Sequence, residues 1–360
     1  MRTVSTGRFL LKRAIQGLFV VWGVVTVVFL LRFITPGDPV TFIAPLDASQ
    51  ELRRQIAAEL GLDRPIYVQY LDYLTGLVRG DMGYSYISKT EASTRVFARL
   101  PATIELAVAA TIVAVALSIP LGVISATRRH QPVDYGATLF SLVGISTPNF
   151  WLGIMLVLVF AVQFGLFPTS QRGIGSPQIV AELVYVTVQD INLPFVGRPG
   201  TGAQLVFEPR MNVSAATDAA VTWLAHITLP AITLGTYFTA LITRLTRSGM
   251  LEELGEAYVR ASRAKGLPES LVRYKHALRN TLAPVITVVG LQLGTLIGGA
   301  VITEAVFAWP GLGTELIRAI NLRDWPIIQG SLIVIGVGFV LVNTIVDAFQ
   351  AYLDPRVVAD

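Results

Sequence analysis

Six stretches of this 360-residue chain run for at least 18 residues without Asp, Glu, Lys or Arg. They are Ala14–Leu31, Leu106–Thr127, Tyr135–Gln171, Ala219–Thr243, Asn280–Thr303 and Trp325–Val346. Roughly 20 apolar residues, rising about 1.5 Å each in a helix, cross a hydrocarbon layer about 30 Å thick. The pattern predicts an all-α polytopic membrane protein with six transmembrane helices. The stretch 135–171 is long enough for two crossings, but two would reverse the charge bias of everything after it. It reads as one crossing broken near Pro148, where proline removes a backbone donor and clashes with the preceding turn.

Between the first two apolar stretches, the spacing predicts two helices. Ser49 caps one running to Leu60, with Leu52, Ile56 and Leu60 on one stripe and Gly61 as its stop. Pro65 opens a second with Val68, Leu71, Leu74 and Val78 on one face, ending at the turn Gly80-Asp81-Met82-Gly83. The stretch 172–218 is rich in Gly and Pro and shows no clear period. The organisation is therefore a terminal segment and first membrane helix over 1–34, an extracytoplasmic helical segment over 35–100, and a transmembrane core over 101–360. The core carries an extracytoplasmic insert near 172–218 and a polar hairpin over 251–284.

That hairpin is the most informative segment. Leu251, Leu254, Tyr258, Ala261 and Lys265 follow helical spacing, with Glu252, Glu253 and Glu256 early and Arg260, Arg263 and Lys265 late. Glu256 and Arg260 are placed for an i,i+4 pair, as are Glu269 and Arg273. Gly266 supplies a left-handed stop, Pro268 suits the first turn of the next helix, and Asn280 is placed to cap the membrane helix that follows. Small residues at Ala261, Ser262 and Ala264 let another protein approach the backbone closely.

Composition agrees with a membrane protein: 53% hydrophobic and 14% charged, against about 25% charged in soluble domains, with a mean hydropathy of +0.61. The chain has no cysteine, which excludes disulfides, thiol catalysis and cysteine-bound metals. The net charge of +4 does not imply nucleic acid, because the basic residues flank the apolar stretches. The N-terminal segment holds Arg2, Arg8, Lys12 and Arg13 with no acid, so it stays cytoplasmic, and no small-x-small site follows the first stretch to mark a cleaved signal peptide. Six crossings then put both termini in the cytoplasm. Segments 1–13, 128–134, 244–279 and 347–360 hold 15 basic and 8 acidic residues, against 13 and 16 elsewhere.

Ionisable groups near the stretches are few. Glu105 and Glu304 fall at predicted outer ends and Asp347 at an inner end. Glu304, close to Gly298 and Gly299, is the candidate for a gate or substrate path, since charge at membrane depth marks function. Trp151, Trp309 and Trp325 read as interfacial anchors. His130, His226 and His276 are too scattered for a metal site.

The run Tyr258-Val259-Arg260-Ala261-Ser262-Arg263-Ala264-Lys265-Gly266-Leu267, followed by His276-Ala277-Leu278-Arg279-Asn280 and Pro284, resembles the EAA loop of ABC importer permeases. It is closest to the version in the dipeptide/oligopeptide/nickel family. Thr35-Pro36-Gly37-Asp38-Pro39, Glu59-Leu60-Gly61-Leu62-Asp63, Gly80-Asp81-Met82-Gly83, Arg244–Leu251, Phe307–Gly313 and Leu353-Asp354-Pro355-Arg356 extend the resemblance to its B-type subunit along nearly the whole chain. Arg260 stands where the motif has Glu, and Ser262 where it has its second Ala.

The resemblance implies a type I importer permease fold in the plasma or inner membrane of a prokaryote. Leu254–Gly266 would be the coupling helix that an ATPase moves, with Leu267, His276 and Asn280 in the same loop. It implies as partners a C-type permease, one or two ABC ATPase subunits, an extracytoplasmic binding protein and membrane lipid. ATP and Mg would sit on the ATPases, with no cofactor on this chain. A P-loop needs Gly-Lys-Ser/Thr, and none of Lys12, Lys89, Lys265 and Lys275 follows a glycine. The implied cargo is a dipeptide or oligopeptide, with nickel chelates, glutathione or oligosaccharides as alternatives. A secondary transporter of another class would show repeats and mid-span charges, and the sequence has neither.

Overall fold

In the computed structural model, the described residues are 6–34, 40, 44–45, 47–173, 185–190, 203–208 and 213–353. The motifs at 35–39 and 354–356, and the insert residues 174–184, 191–202 and 209–212, lie outside them. The first apolar stretch is α1 (Thr6–Ile34). Two short helices follow, α2 (Gln50–Glu59) and α3 (Ile66–Val78), then the small hairpin β1 (Tyr84–Ser85) and β2 (Thr90–Glu91). The long helix α4 (Ala92–Thr127) leads to α5 (Pro132–Ser146) and α6 (Asn149–Leu156), which runs on as a π-helical stretch, Val157–Gln163.

The local signals act as expected. Ser49 Oγ accepts the amide of Leu52, Gly61 takes φ +65°, and Pro65 stands immediately before α3. In the turn after α3, Gly80 and Gly83 have φ of +84° and +88°, and Asp81 Oδ1 accepts the amide of Gly83. The second membrane helix starts at Ala92, ahead of its charge-free stretch, so the 100/101 division falls inside α4. In the insert, Tyr185–Asp190 (β3) pairs antiparallel with Ala203–Glu208 (β4), a hairpin that the Gly/Pro-rich composition had hidden.

The second half contains α7 (Val213–Gly255), α8 (Ala257–Ala264), a turn α9 (Glu269–Leu271) and a π segment (Val272–Ala277). The π segment runs directly into α10 (Leu278–Gly299), followed by α11 (Val301–Val306), α12 (Leu312–Leu322) and α13 (Trp325–Leu353). Among the described residues, five helices are long and apolar enough to cross a membrane. The pair α5 and α6, with its π extension, qualifies jointly and bends by 107°. Thr147 is extended (ψ 124°) and Pro148 has no amide hydrogen, so the helical ladder stops there, at the expected break.

The core is formed mainly by α4 against α7, where Leu106, Ala107, Ala110 and Ala114 meet Ile227, Ala231, Leu234 and Ile242. Small residues let the backbones close together, as in other membrane bundles. A Cβ on Gly235 would lie 2.9 Å from the carbonyl oxygen of Ala110, and one on Gly122 would lie 2.6 Å from Thr246 Cβ. By contrast α1 and α13 turn large apolar side chains outward, among them Leu18, Phe19, Leu341 and Ile345.

The packing also sorts the bundle into two ends. Arg13 near the start of α1 pairs with Asp347 near the end of α13 at 3.2 Å. Asp134 at the start of α5 pairs with Arg247 near the end of α7. The chain leaving the bent pair reaches the opposite end, where the amide of Gln171 donates to Phe307 O and Arg172 Nε donates to Glu105 at 2.9 Å.

Candidate functional site

The polar hairpin is a braced element. The helix α7 continues through Leu251 and Leu254 to Gly255, so these two leucines belong to the membrane helix and not to the hairpin helix. Glu256 is extended (φ −69°, ψ 153°) and starts α8, which carries Tyr258, Val259, Arg260, Ala261, Ser262, Arg263 and Ala264. Lys265 closes the helix and Gly266, at φ +76°, turns the chain through the left-handed region. Pro268 precedes the next turn as expected.

Apolar anchors fix this element to the bundle. Val259, Val272, Met250 and Ala277 are fully buried, and Met250 and Ala277 pack with Val123 and Ala126 of α4, with Leu251, Leu254 and Leu278 around them. Polar contacts add a brace across three helices. The Tyr258 hydroxyl donates to Glu253 on α7, while Asn280 Nδ2 on α10 donates to Tyr258 Oη at 2.9 Å and to Glu253 Oε2 at 3.2 Å. Desolvation, then the Glu253 carboxylate beside it, pushes the Tyr258 phenol up to about 12. Glu269 accepts from Arg263 Nη2 and from Arg273 Nε, each at 3.0 Å, which ties the two arms of the hairpin together.

What remains open to solvent is one face of α8 and its turn: Arg260, Ala261, Arg263, Ala264, Lys265 and Gly266 are exposed, and Tyr258 partly so. Ser262 turns back to donate to Tyr258 O at 2.8 Å, and Leu267 and His276 are half-buried. The surface offered is short, basic and lined by alanines.

Several expectations change. Asn280 is not a helix cap, because the π segment flows unbroken into α10 and the backbone amides there already have partners; its side chain serves the Tyr258 brace instead. Glu256 and Arg260 form no ion pair, because Glu256 lies outside the helix in extended conformation. Glu252 and Glu253 sit at the end of α7, not in the first turn of α8.

Glu304, the candidate for a gate or substrate path, is completely buried. Its carboxylate accepts from Thr103 Oγ1 at 2.7 Å and from the amide of Thr314 at 3.0 Å, while Thr103 accepts the amide of Leu312 at 2.8 Å. Glu304 thus ties α4 to the first turn of α12, and a Cβ on Gly311 would run into it. Gly298 packs near Ile335 of α13, and Gly299 ends α10. Trp309, read as an interfacial anchor, is fully buried and donates through Nε1 to Ala102 O at 2.8 Å.

Among the described residues three buried acids escaped the sequence reading: Asp134, Glu315 and Asp324, the last accepting from Ser85 Oγ. Asp134, the only acid in its short segment, is bound by Arg247; Glu315 is bound by Arg95 and Arg99 of α4. The isolation of Asp134 beside Arg128 and Arg129 was the available signal, though nothing local named its partner.

Comparisons with known proteins agree with this architecture. Residues 118–359 match the family described as binding-protein-dependent transport system inner membrane component, and residues 6–107 match its N-terminal counterpart. The dipeptide transport system permease protein DppB of Escherichia coli K12 is 41% identical over 336 residues, 93% of this chain and 94% of that protein. The di/tripeptide permease DppB of Pseudomonas aeruginosa is 40% identical over 93% of this chain and 94% of its own length. The oligopeptide permease AppB of Bacillus subtilis is 36% identical over 97% of this chain and 98% of its own length. The chain therefore belongs to the binding-protein-dependent transport system inner-membrane components, the non-catalytic membrane permeases of ABC transporters, and within them is of the DppB type.

Proposed function

We propose that this chain forms, with a second permease of C type, the translocation path of an ATP-driven importer of dipeptides or oligopeptides delivered by an extracytoplasmic binding protein. ATP and Mg are held on one or two separate ATPase subunits, and α8 is the element that they move. The observation that carries this reading is the exposed, alanine-lined face of α8 on a hairpin locked to α7 and α10 by Val259, Val272 and the Tyr258 brace. A stiff knob of this kind transmits a partner's displacement to the membrane helices, whereas a loose loop would absorb it.

Six crossings with both termini cytoplasmic fit the two-ended packing. Arg13, Asp347, Asp134 and Arg247 share one end with the hairpin, and the bent pair carries the chain to the other. The excess of basic residues in the segments at the first end supports placing it in the cytoplasm of a prokaryotic cell. Peptide cargo is favoured over nickel chelates, glutathione or oligosaccharides by the names of the relatives above.

The test is uptake of labelled dipeptide into liposomes holding the full complex. Gly266→Pro cannot adopt φ +76°, since proline fixes φ near −65°, and Ala261→Trp puts a large ring on the docking face. Either should cut ATP-driven uptake by at least about tenfold. Unchanged uptake with both would overturn the coupling role of α8.

A further inference from the structure

Asp134 is 3% exposed and receives four hydrogen bonds from three parts of the chain. Arg247 on α7 grips it with both prongs, Nε to Oδ1 at 2.6 Å and Nη2 to Oδ2 at 2.9 Å. Ser125 Oγ, near the end of α4, donates to Oδ1 at 2.6 Å, and the amide of His130 in the connecting turn donates to Oδ2 at 3.0 Å. Arg247 lies eight residues before Gly255, where α7 ends and the hairpin begins, about 12 Å along the helix axis. Asp134 lies in the first turn of α5, thirteen residues before the break at Thr147–Pro148.

Farther along, α5 packs closely on α7: a Cβ on Gly144 would be 3.0 Å from Ala240 Cβ and 3.5 Å from Thr236 O, small residues letting the two helices approach. Beyond the break, α6 is held toward the other end of the bundle, where a Cβ on Gly153 would meet Phe307, Thr233 and Val306 at 3.1–3.3 Å. The bent pair is thus two levers with a proline joint. Each is held at a different end of the bundle, and the near lever, packed on α7 along its length, is oriented at its start by the Asp134 carboxylate.

Resting on the coupling role proposed for α8, we propose that the Asp134–Arg247 pair is a positioning link. It makes α5 travel with α7 and the hairpin, so that hairpin displacement becomes flexing at Thr147–Pro148. The forked, two-bond geometry suits this, because it fixes orientation as well as distance; a lysine would keep the attraction and lose the fork.

The experiment uses the complete complex in liposomes and reads dipeptide taken up per ATP hydrolysed. Arg247→Gln should lower that ratio by about tenfold while ATP hydrolysis changes by less than about twofold. Arg247→Lys should fall between. Ser125→Ala, which removes a bond to the same carboxylate but leaves the fork, should leave the ratio unchanged.

The proposal is overturned if Arg247→Gln keeps a normal ratio or if Ser125→Ala lowers it equally. Should Arg247→Gln not assemble, an unchanged ratio in Arg247→Lys overturns it just as well. If the unaltered complex shows no ATP-driven uptake, the coupling role fails first and the link fails with it. Loss confined to the Arg247 variants' ratio is what supports the link.

Discussion

Replacing Glu304 with alanine separates a gate from a structural tie. The carboxylate is the acceptor for Thr103 Oγ1 and for the amide of Thr314, and it lies beneath Gly311 and Gly313 with no access to solvent. Glu304→Ala leaves both donors without a partner, at about 1–3 kcal/mol each. It also opens a cavity where a fully buried side chain stood. Together these place the destabilisation at about 3–5 kcal/mol, among the larger values for single substitutions. At about 1–2 °C per kcal/mol for a chain of this length, the unfolding midpoint should drop by roughly 5 °C. Fluorescence of Trp309, whose ring is buried beside Ala102 in the same cluster, is a suitable probe in detergent or lipid discs. Thr103→Val should cost about 2 kcal/mol, and the double variant should fall short of the sum by about 1 kcal/mol, because the two share one network. An unchanged midpoint in Glu304→Ala together with altered uptake would refute this reasoning and return Glu304 to a gate.

Gly235→Ala should destabilise by about 1–3 kcal/mol, since its Cβ meets the backbone oxygen of Ala110 at 2.9 Å, which cannot rotate away. Gly298→Ala, whose Cβ meets only the Ile335 side chain at 3.3 Å, should change the same thermal midpoint far less, and equal shifts would count against the α4–α7 contact as the tighter one. The raised Tyr258 phenol means that the brace contributes fully below the ordinary value of 10 and is lost as the pH rises towards about 12. A difference spectrum between the protein and Tyr258→Phe should therefore show phenolate only near that upper limit; a band at pH 10 would contradict the brace.

Legibility followed distance along the chain. Ser49, Gly61, Pro65, Pro148 and Gly266 act on their own few residues, and each does in the structure what its chemistry implies. Errors arose where a side chain had both a local and a distant partner available. Asn280 looked like a cap, yet its amide reaches Glu253, 27 residues away. For Glu304, nothing in the sequence pointed to its donor Thr103, 201 residues earlier in the chain. Trp309 looked interfacial because nothing nearby shows that its indole nitrogen meets Ala102.

The long charge-free apolar stretches alone determined that this is a helical membrane protein and which segments form its long apolar helices, and the helical spacing that a structured basic hairpin interrupts the last third. Those properties come from transfer of side chains out of water and from backbone preferences, and both are fixed by residues within a turn or two. Only the tertiary structure decided which polar side chains are exposed for a partner and which are spent holding the bundle together. It also decided that the bent pair runs from Asp134 at one end to Gln171 at the other. The physical reason is that a buried carboxylate persists only with donors around it, and in this chain those donors come from helices far apart in sequence.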